Sequence, residues 1–260
     1  MQGIIFIISI IIIAIAFINW INNKDVEKSL NLTTNKTRGN PSELDLVRTL
    51  IKNGSHPDAI FHDIYLERRN GTFSQIDLVM ATPVGLIVFE VKDYGGWIFG
   101  SGNSTYWTQV LAFGKEKYRL YNPIIQNRRH IEELRKITPQ FANIPMFSVV
   151  IFYGDCEFKK LNQIPNEVYI IQPFELQRTL DSITANHPPA NYTNKREIIS
   201  VLNQAKSNGD NKDLKNEHVA YVNSVKDRIG SREGRIATNY YINPIPRSVR
   251  TTLRWLRNLR

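Results

Sequence analysis

Glu90 and Lys92 close an apolar run, Leu86-Ile87-Val88-Phe89, with only Val91 between them. The run has the composition of a strand covered on both faces. Alternate residues of a strand share a face, so the carboxylate and the ammonium point the same way. A buried Glu–Lys pair adds little net stability, because each charge is costly to remove from water. A divalent cation changes that balance by supplying the counter-charge that clustered carboxylates need. Asp77, in SQIDLVM on the preceding strand, is the candidate second carboxylate. With a tight connection at 81 to 84, Asp77 and Glu90 are expected toward the far ends of the paired strands, not directly opposite. Register and a bulge would then have to bring them together. An Asp followed thirteen residues later by Glu-x-Lys is, by itself, a pattern that many unrelated chains contain.

Several elements must position these groups. Asn40 as cap, Pro41 at the first helical position and Glu43 three residues after the cap predict a helix that ends near Asn53-Gly54. Its apolar side is read as Leu44, Val47 and Ile51. Three strands follow, Ala59 to Leu66, Ser74 to Met80 and Gly85 to Lys92, with short turns that predict an antiparallel meander. Residues 93 to 121, rich in Gly, Ser and aromatics, read as an irregular hairpin. Its Trp97, Tyr106 and Trp107 can stack on unpaired bases, although packing over a sheet is the commoner use. Asn122 and Pro123 open a second helix that runs to about Ile137. Met146 to Tyr153 and Glu167 to Gln172 read as core strands, and Phe174 to about Ile183 as a closing helix. This order implies an α/β core with a mixed sheet.

The two ends of the chain differ from this core. Residues 3 to 21 carry no charge, and nineteen helical residues reach roughly 28 Å, enough to cross a bilayer core. Trp20 suits an interfacial position, and Lys24 and Lys28 follow it. A cleaved signal peptide is the rival reading, since Ala14 and Ala16 form a small-x-small pair, but only Met1 and Gln2 precede the apolar run. The retained anchor predicts a single-pass protein of the cell membrane with the bulk of the chain in the cytoplasm. Of the net charge of +9, residues 191 to 260 hold 14 Lys and Arg against 6 Asp and Glu, which is +8. Such a tail suits nucleic acid or an anionic membrane surface. Residues 243 to 260 have five Arg and no acid, with Val249, Leu253, Leu256 and Leu259 three or four apart, the pattern of a basic amphipathic helix able to contact anionic lipid. One cysteine, Cys156, excludes an internal disulfide and a multi-cysteine zinc site, and reads as a small buried residue. The expected divisions are therefore 1–22 transmembrane anchor, 23–39 polar linker, 40–185 the α/β domain and 186–260 a basic helical region.

Taken together, Glu43 in NPSELDLVRTL, Gln75-Ile76-Asp77, Gly85 through Glu90-Val91-Lys92, Tyr94-Gly95-Gly96, Trp107 and Asn122-Pro123-Ile124-Ile125-Gln126-Asn127 with His130 resemble the NERD (nuclease-related) domain. That family is similar to the PD-(D/E)XK, or restriction-endonuclease-like, superfamily. Ser42 stands where the family usually has Gly. The resemblance covers about residues 39 to 155 and implies an α-β-β-β-α-β core, its mixed sheet flanked by helices. It also implies Mg²⁺ or Mn²⁺ held by Asp77, Glu90 and the backbone carbonyl of Val91. Lys92 would orient water or neutralise charge developing on phosphate, and Gln126 and Glu43 would complete the catalytic set. Glu43 is equally explained as a capping-box residue. His130 shares a helix face with Gln126, and a hydrogen-bonded structural role is its expected one. The implied activity is phosphodiester hydrolysis in DNA processing by a membrane-anchored nuclease-related protein, with nucleic acid as partner. The alternatives are a tethered, non-catalytic module of the same fold that binds nucleic acid or a partner, and an interaction protein whose ion cluster is only structural.

Overall fold

The computed structural model describes residues 2–230 apart from Arg69. The amphipathic helix expected over 243 to 260 lies outside the described residues.

Helix α1 (Gln2–Thr33) contains the apolar segment and does not stop where that segment ends. Its stretch Ile7–Thr33 is long and apolar enough to cross a membrane, a test that a signal sequence also passes. Residues 23 to 39, expected as a polar linker, are instead helical as far as Thr33. The reason is a stripe hidden among polar residues: Val26, Leu30 and Thr33 recur four and three apart, and Leu30 and Thr33 are buried. Leu30 packs with Leu46, Leu50, Ile87 and Phe89 in the main core. Thr34 and Arg38, just beyond the helix, are buried as well.

Helix α2 (Pro41–Lys52) is capped by Asn40, whose Oδ1 accepts from Glu43 N–H at 3.0 Å. Its buried face is Glu43, Leu46, Val47 and Leu50, rotated from the expected Leu44, Val47 and Ile51. Glu43 therefore stands in line with the core residues. The helix lies against α1 as a hairpin, with Arg48 3.0 Å from Glu27.

Strands β1 (Ile60–Glu67), β2 (Phe73–Thr82) and β3 (Gly85–Asp93) form the expected antiparallel meander. β7 (Met146–Tyr153) pairs parallel with β3, and β9 (Val168–Ile171) parallel with β7, giving the order β1-β2-β3-β7-β9. On β3, Ile87, Phe89 and Val91 face α1, α2 and α5 (Leu176–Asn186). Leu86 and Val88 face the opposite side, with α3 (Pro123–Ile137), α4 (Pro139–Ala142) and α6 (Lys195–Asn208). Alternation then puts Glu90 and Lys92 on the α3 side. On β1 the alternation changes phase at Asp63, whose backbone is left-handed (φ 49°): Phe61 and Ile64 both face α6. His62, two residues after Ile60, faces α2 ahead of that change.

Residues 93 to 121 are more regular than an irregular hairpin. β4 (Gly96–Ser101), β5 (Tyr106–Leu111) and β6 (Glu116–Tyr121) join β8 (Cys156–Asn162) in a second sheet of order β6-β5-β4-β8. β4 and β8 run parallel, so both sheets are mixed. The second sheet packs Ile98, Trp107 and Leu120 against Val150 and Phe152 of β7. Helix α7 (Lys212–Gly230) follows α6.

Candidate active site

The β2–β3 turn sets the register. Thr82 pairs with Gly85 and Leu78 with Phe89, so one further step sets Asp77 across from Glu90 with no bulge. The expectation that the two are offset fails because five residues separate Asp77 from Thr82 and five separate Gly85 from Glu90. Asp77 Oδ2 accepts from Val91 N–H at 2.8 Å. Lys92 Nζ lies 2.5 Å from Glu90 Oε1, as the shared strand face requires. Glu90 is 1% exposed and Lys92 6%, whereas Asp77 is partly open to solvent.

Helix α3 supplies the next side chains. Its cap, Asn122 Oδ1, accepts from Ile124 N–H at 2.9 Å. Asn127 donates to Val88 O at 2.8 Å and to Ser148 Oγ at 2.9 Å, pinning the helix to β3 and β7. The helix face that carries Gln126 and His130 thereby meets the charged pair. Lys92 Nζ donates to Gln126 Oε1 at 3.1 Å, and His130 Nε2 lies 3.3 Å from Glu90 Oε2.

Glu43 approaches from α2. Asn40 Nδ2 donates to its Oε1, and His62 Nε2 lies 3.3 Å from its Oε2. His62 was not singled out in the sequence. Nothing local marks it, since its partner Glu43 lies 19 residues earlier in the chain.

Electrostatics bind the groups into one set. Burial, then the negative charges of Glu90 and Glu43, hold the Asp77 carboxyl well above its ordinary range. Burial and the charge of Asp63 push Glu43 up to about 8. Burial pushes His62 down to about 4. For Glu90 burial works the same way as for the other acids, but Lys92 and then His130 outweigh it, and the pKa is lowered. Lys92 is itself desolvated, which the charge of Glu90 more than offsets, so its pKa is raised. The charge of Glu90 raises the proton affinity of both Asp77 and Glu43, and carboxyls displaced in that way make a site that favours added positive charge.

The donor set fits a divalent cation in chemistry. Both buried oxygens of Glu90 lack a hydrogen bond of ordinary geometry, despite their close approach to Lys92 and His130. Hard cations accept two carboxylates with a backbone oxygen and complete their shell with water. Among the described residues no three His, Cys, Asp or Glu side chains form a metal cage unaided.

Of the aromatics, Trp107 is core: it is 1% exposed and stacks on Phe152 at 6.1 Å. Trp97 and Tyr106 are partly exposed and carry Lys159 and Arg119 over their rings at 5.1 and 4.2 Å. Cys156 is buried, as its sequence context indicated, and burial raises its thiol pKa.

Comparison with known proteins finds two likenesses. An uncharacterized protein of Bacillus anthracis is 27% identical over 189 residues, which cover 73% of this chain and 85% of the relative. No solved structure matches the chain. The segment that contains Glu43, Asp77, Glu90, Lys92, Gln126 and His130 is similar to the family described as NERD, nuclease-related domain, whose model matches residues 38–153 of this chain.

Proposed function

We propose that the chain is a membrane-anchored, divalent-metal-dependent nuclease that hydrolyses phosphodiester bonds, with DNA as its substrate class. The observation that carries this reading is the set of Asp77, Glu90 and Lys92 at one strand end, in which the buried Glu90 and Lys92 pair beside a partly exposed Asp77. Asp77, Glu90 and the Val91 carbonyl are the groups to hold Mg²⁺ or Mn²⁺, which when bound supplies positive charge against the scissile phosphate. Lys92, fixed by Gln126, holds a second positive charge where negative charge develops and can orient the attacking water. His130 steadies the far oxygen of Glu90. Glu43 closes the α2 side of the set.

Anchoring through α1 fits the same reading. The α1–α2 hairpin turns at residues 34 to 40, beside Glu43, and thirteen helical positions separate Ile21 from Thr34. At 1.5 Å per residue, the site would stand about 20 Å from the end of the apolar span, at the membrane-distal end of α2. Lys24 and Lys28 favour the cytoplasmic side.

A tethered binding module is the second reading, and one observation favours it. Lys92 already neutralises Glu90 at 2.5 Å, and Asp77 already accepts from Val91. The test uses full-length protein in detergent with single-stranded DNA, duplex DNA and RNA in Mg²⁺ or Mn²⁺. Asp77→Ala and Lys92→Ala are assayed beside it after circular dichroism has checked their folding. Cleavage that both substitutions abolish is the expected result. Binding without cleavage on every substrate would replace the nuclease by the binding module.

A further inference from the structure

His62 is fully buried and joins two elements. Its Nε2 lies 3.3 Å from Glu43 Oε2, and its Nδ1 lies 2.7 Å from Thr34 Oγ1 at the end of α1. Three features show that this contact is built into the fold. Gly39 is left-handed (φ +65°), and a Cβ there would lie 2.3 Å from Glu43 Oε2 and 2.6 Å from His62 Nε2, so only glycine leaves room for the pair. Asn40 holds the other oxygen of Glu43, which leaves the carboxyl one orientation. His62 shares the α2 side of β1 with Ile60, by ordinary strand alternation.

We propose that His62 is a positioning residue for Glu43, and that Thr34, the residue that follows the apolar first helix, fixes His62, so that this helix completes the site. The proposal rests on the reading of Glu43 as a site residue. A histidine's two nitrogens are distinct, and a partner held at one decides what the other presents. Thr34 thus sets what Glu43 meets, and the charge of Glu43 is felt at Asp77, as that of Glu90 is at Glu43. The helix that carries the apolar span is then part of the site and not a detachable tether.

The test uses full-length protein in detergent micelles with ¹⁵N-labelled histidine; the chain has five, so His62→Gln identifies the relevant signal. Long-range nitrogen–proton spectra are expected to give His62 one neutral tautomer. Thr34→Val, which keeps shape and removes the hydroxyl, and Glu43→Gln should each shift the His62 nitrogens and leave the other four rings unchanged. In cleavage assays His62→Ala should lower kcat about 10- to 100-fold with KM within about twofold, the usual cost of losing an outer-shell partner. His62→Gln, which restores an N–H of similar reach, should recover much of that loss. His62 nitrogens that respond to neither Thr34→Val nor Glu43→Gln would overturn the proposal. So would a His62→Gln variant no better than His62→Ala. Absence of cleavage by the wild type would sink the nuclease reading alone, and the nitrogen spectra would then decide whether His62 is joined to Glu43 and Thr34.

Discussion

Two buried groups of carboxylates share the paired strands β1 and β2, and the chain treats them oppositely. Asp63 is saturated: Gln75 donates to its Oδ1 at 2.8 Å, and Lys215 and Arg38 reach its Oδ2 at 2.9 and 3.4 Å. Arg38 is buried in turn and spends its remaining donors on Asp63 O at 2.5 Å, His62 O at 3.3 Å and Asp210 at 2.9 Å. Asp77, one strand further in, is held well above its ordinary range by burial and by the charges of Glu90 and Glu43, and Glu90 beside it meets Lys92 and His130. A structural carboxylate is surrounded until nothing more can bind. In the second group Asp77 stays partly open to solvent, where a cation can reach it.

The largest effect should come from cutting the chain where sequence patterning set the domain boundary. Truncation to begin at residue 39 removes Arg38 from the saturated group, Thr34 from the other and Leu30 from the core. We expect that fragment to lose its cooperative thermal transition by circular dichroism, while one beginning at residue 24 keeps it. A sharp transition in the shorter fragment would show that α1 contributes little to either group.

Asp63→Asn should cost next most. Breaking a buried ion cluster by removing one partner typically costs about 3–5 kcal/mol, because the remaining charge is left uncompensated. Here that charge is Arg38. Urea denaturation should show a loss of this order, and the folded fraction should still bind Mn²⁺. Loss of Mn²⁺ binding with unchanged stability would exchange the roles of the two groups.

Glu43 belongs to the under-satisfied group, and its pH dependence distinguishes it. Its folded pKa, about 8, lies above the ordinary 4.5, so the folded protein holds a proton that the unfolded chain releases, and stability falls as pH rises through that window. His62 has the opposite displacement, from 6.5 down to about 4, and costs stability as pH falls below 6.5. The interval from pH 6.5 to 8 therefore isolates the acids. Across it wild type should lose on the order of 2 kcal/mol more than Glu43→Gln, at about 1.4 kcal/mol per unit of pKa displacement. Parallel urea curves for the two proteins across that interval would show that Glu43 ionises freely in the fold.

What was legible in the sequence follows from how local each signal is. Asn40 and Asn122 announced their helices because a cap is read within four residues, and both caps are found. The strand ending in Glu90-Val91-Lys92 was plain from its apolar run, and the shared face of its charges from strand geometry. The opposition of Asp77 and Glu90 was a matter of counting from the turn, and it was misjudged by assuming that a bulge was needed. The stripe of Val26, Leu30 and Thr33 was hidden because Asn, Lys and Glu surround it, and only the packing of Leu30 against α2 reveals it. Gln126 carried a motif, whereas His62, Arg38 and Asp63 did not: their partners lie 12 to 172 residues away, and a left-handed residue inside a strand leaves no periodic trace.

The smallest stability effect should fall on the residue most central to the proposed chemistry. In Asp77→Asn the amide oxygen can still accept from Val91 N–H, and the substitution removes a carboxyl whose charge Glu90 and Glu43 oppose. Neutralising one member of a buried, mutually repelling set is close to neutral or mildly stabilising, here within about 1 kcal/mol. Two carboxylates suit a hard dication where one does not, so Mn²⁺ binding by calorimetry should disappear in the same variant. That pairing of outcomes, stability kept and binding lost, is the reverse of what Asp63→Asn should give. A variant that loses more than about 2 kcal/mol while still binding Mn²⁺ would move Asp77 into the structural class beside Asp63, since breaking a buried ion set is the way a carboxylate of that class fails.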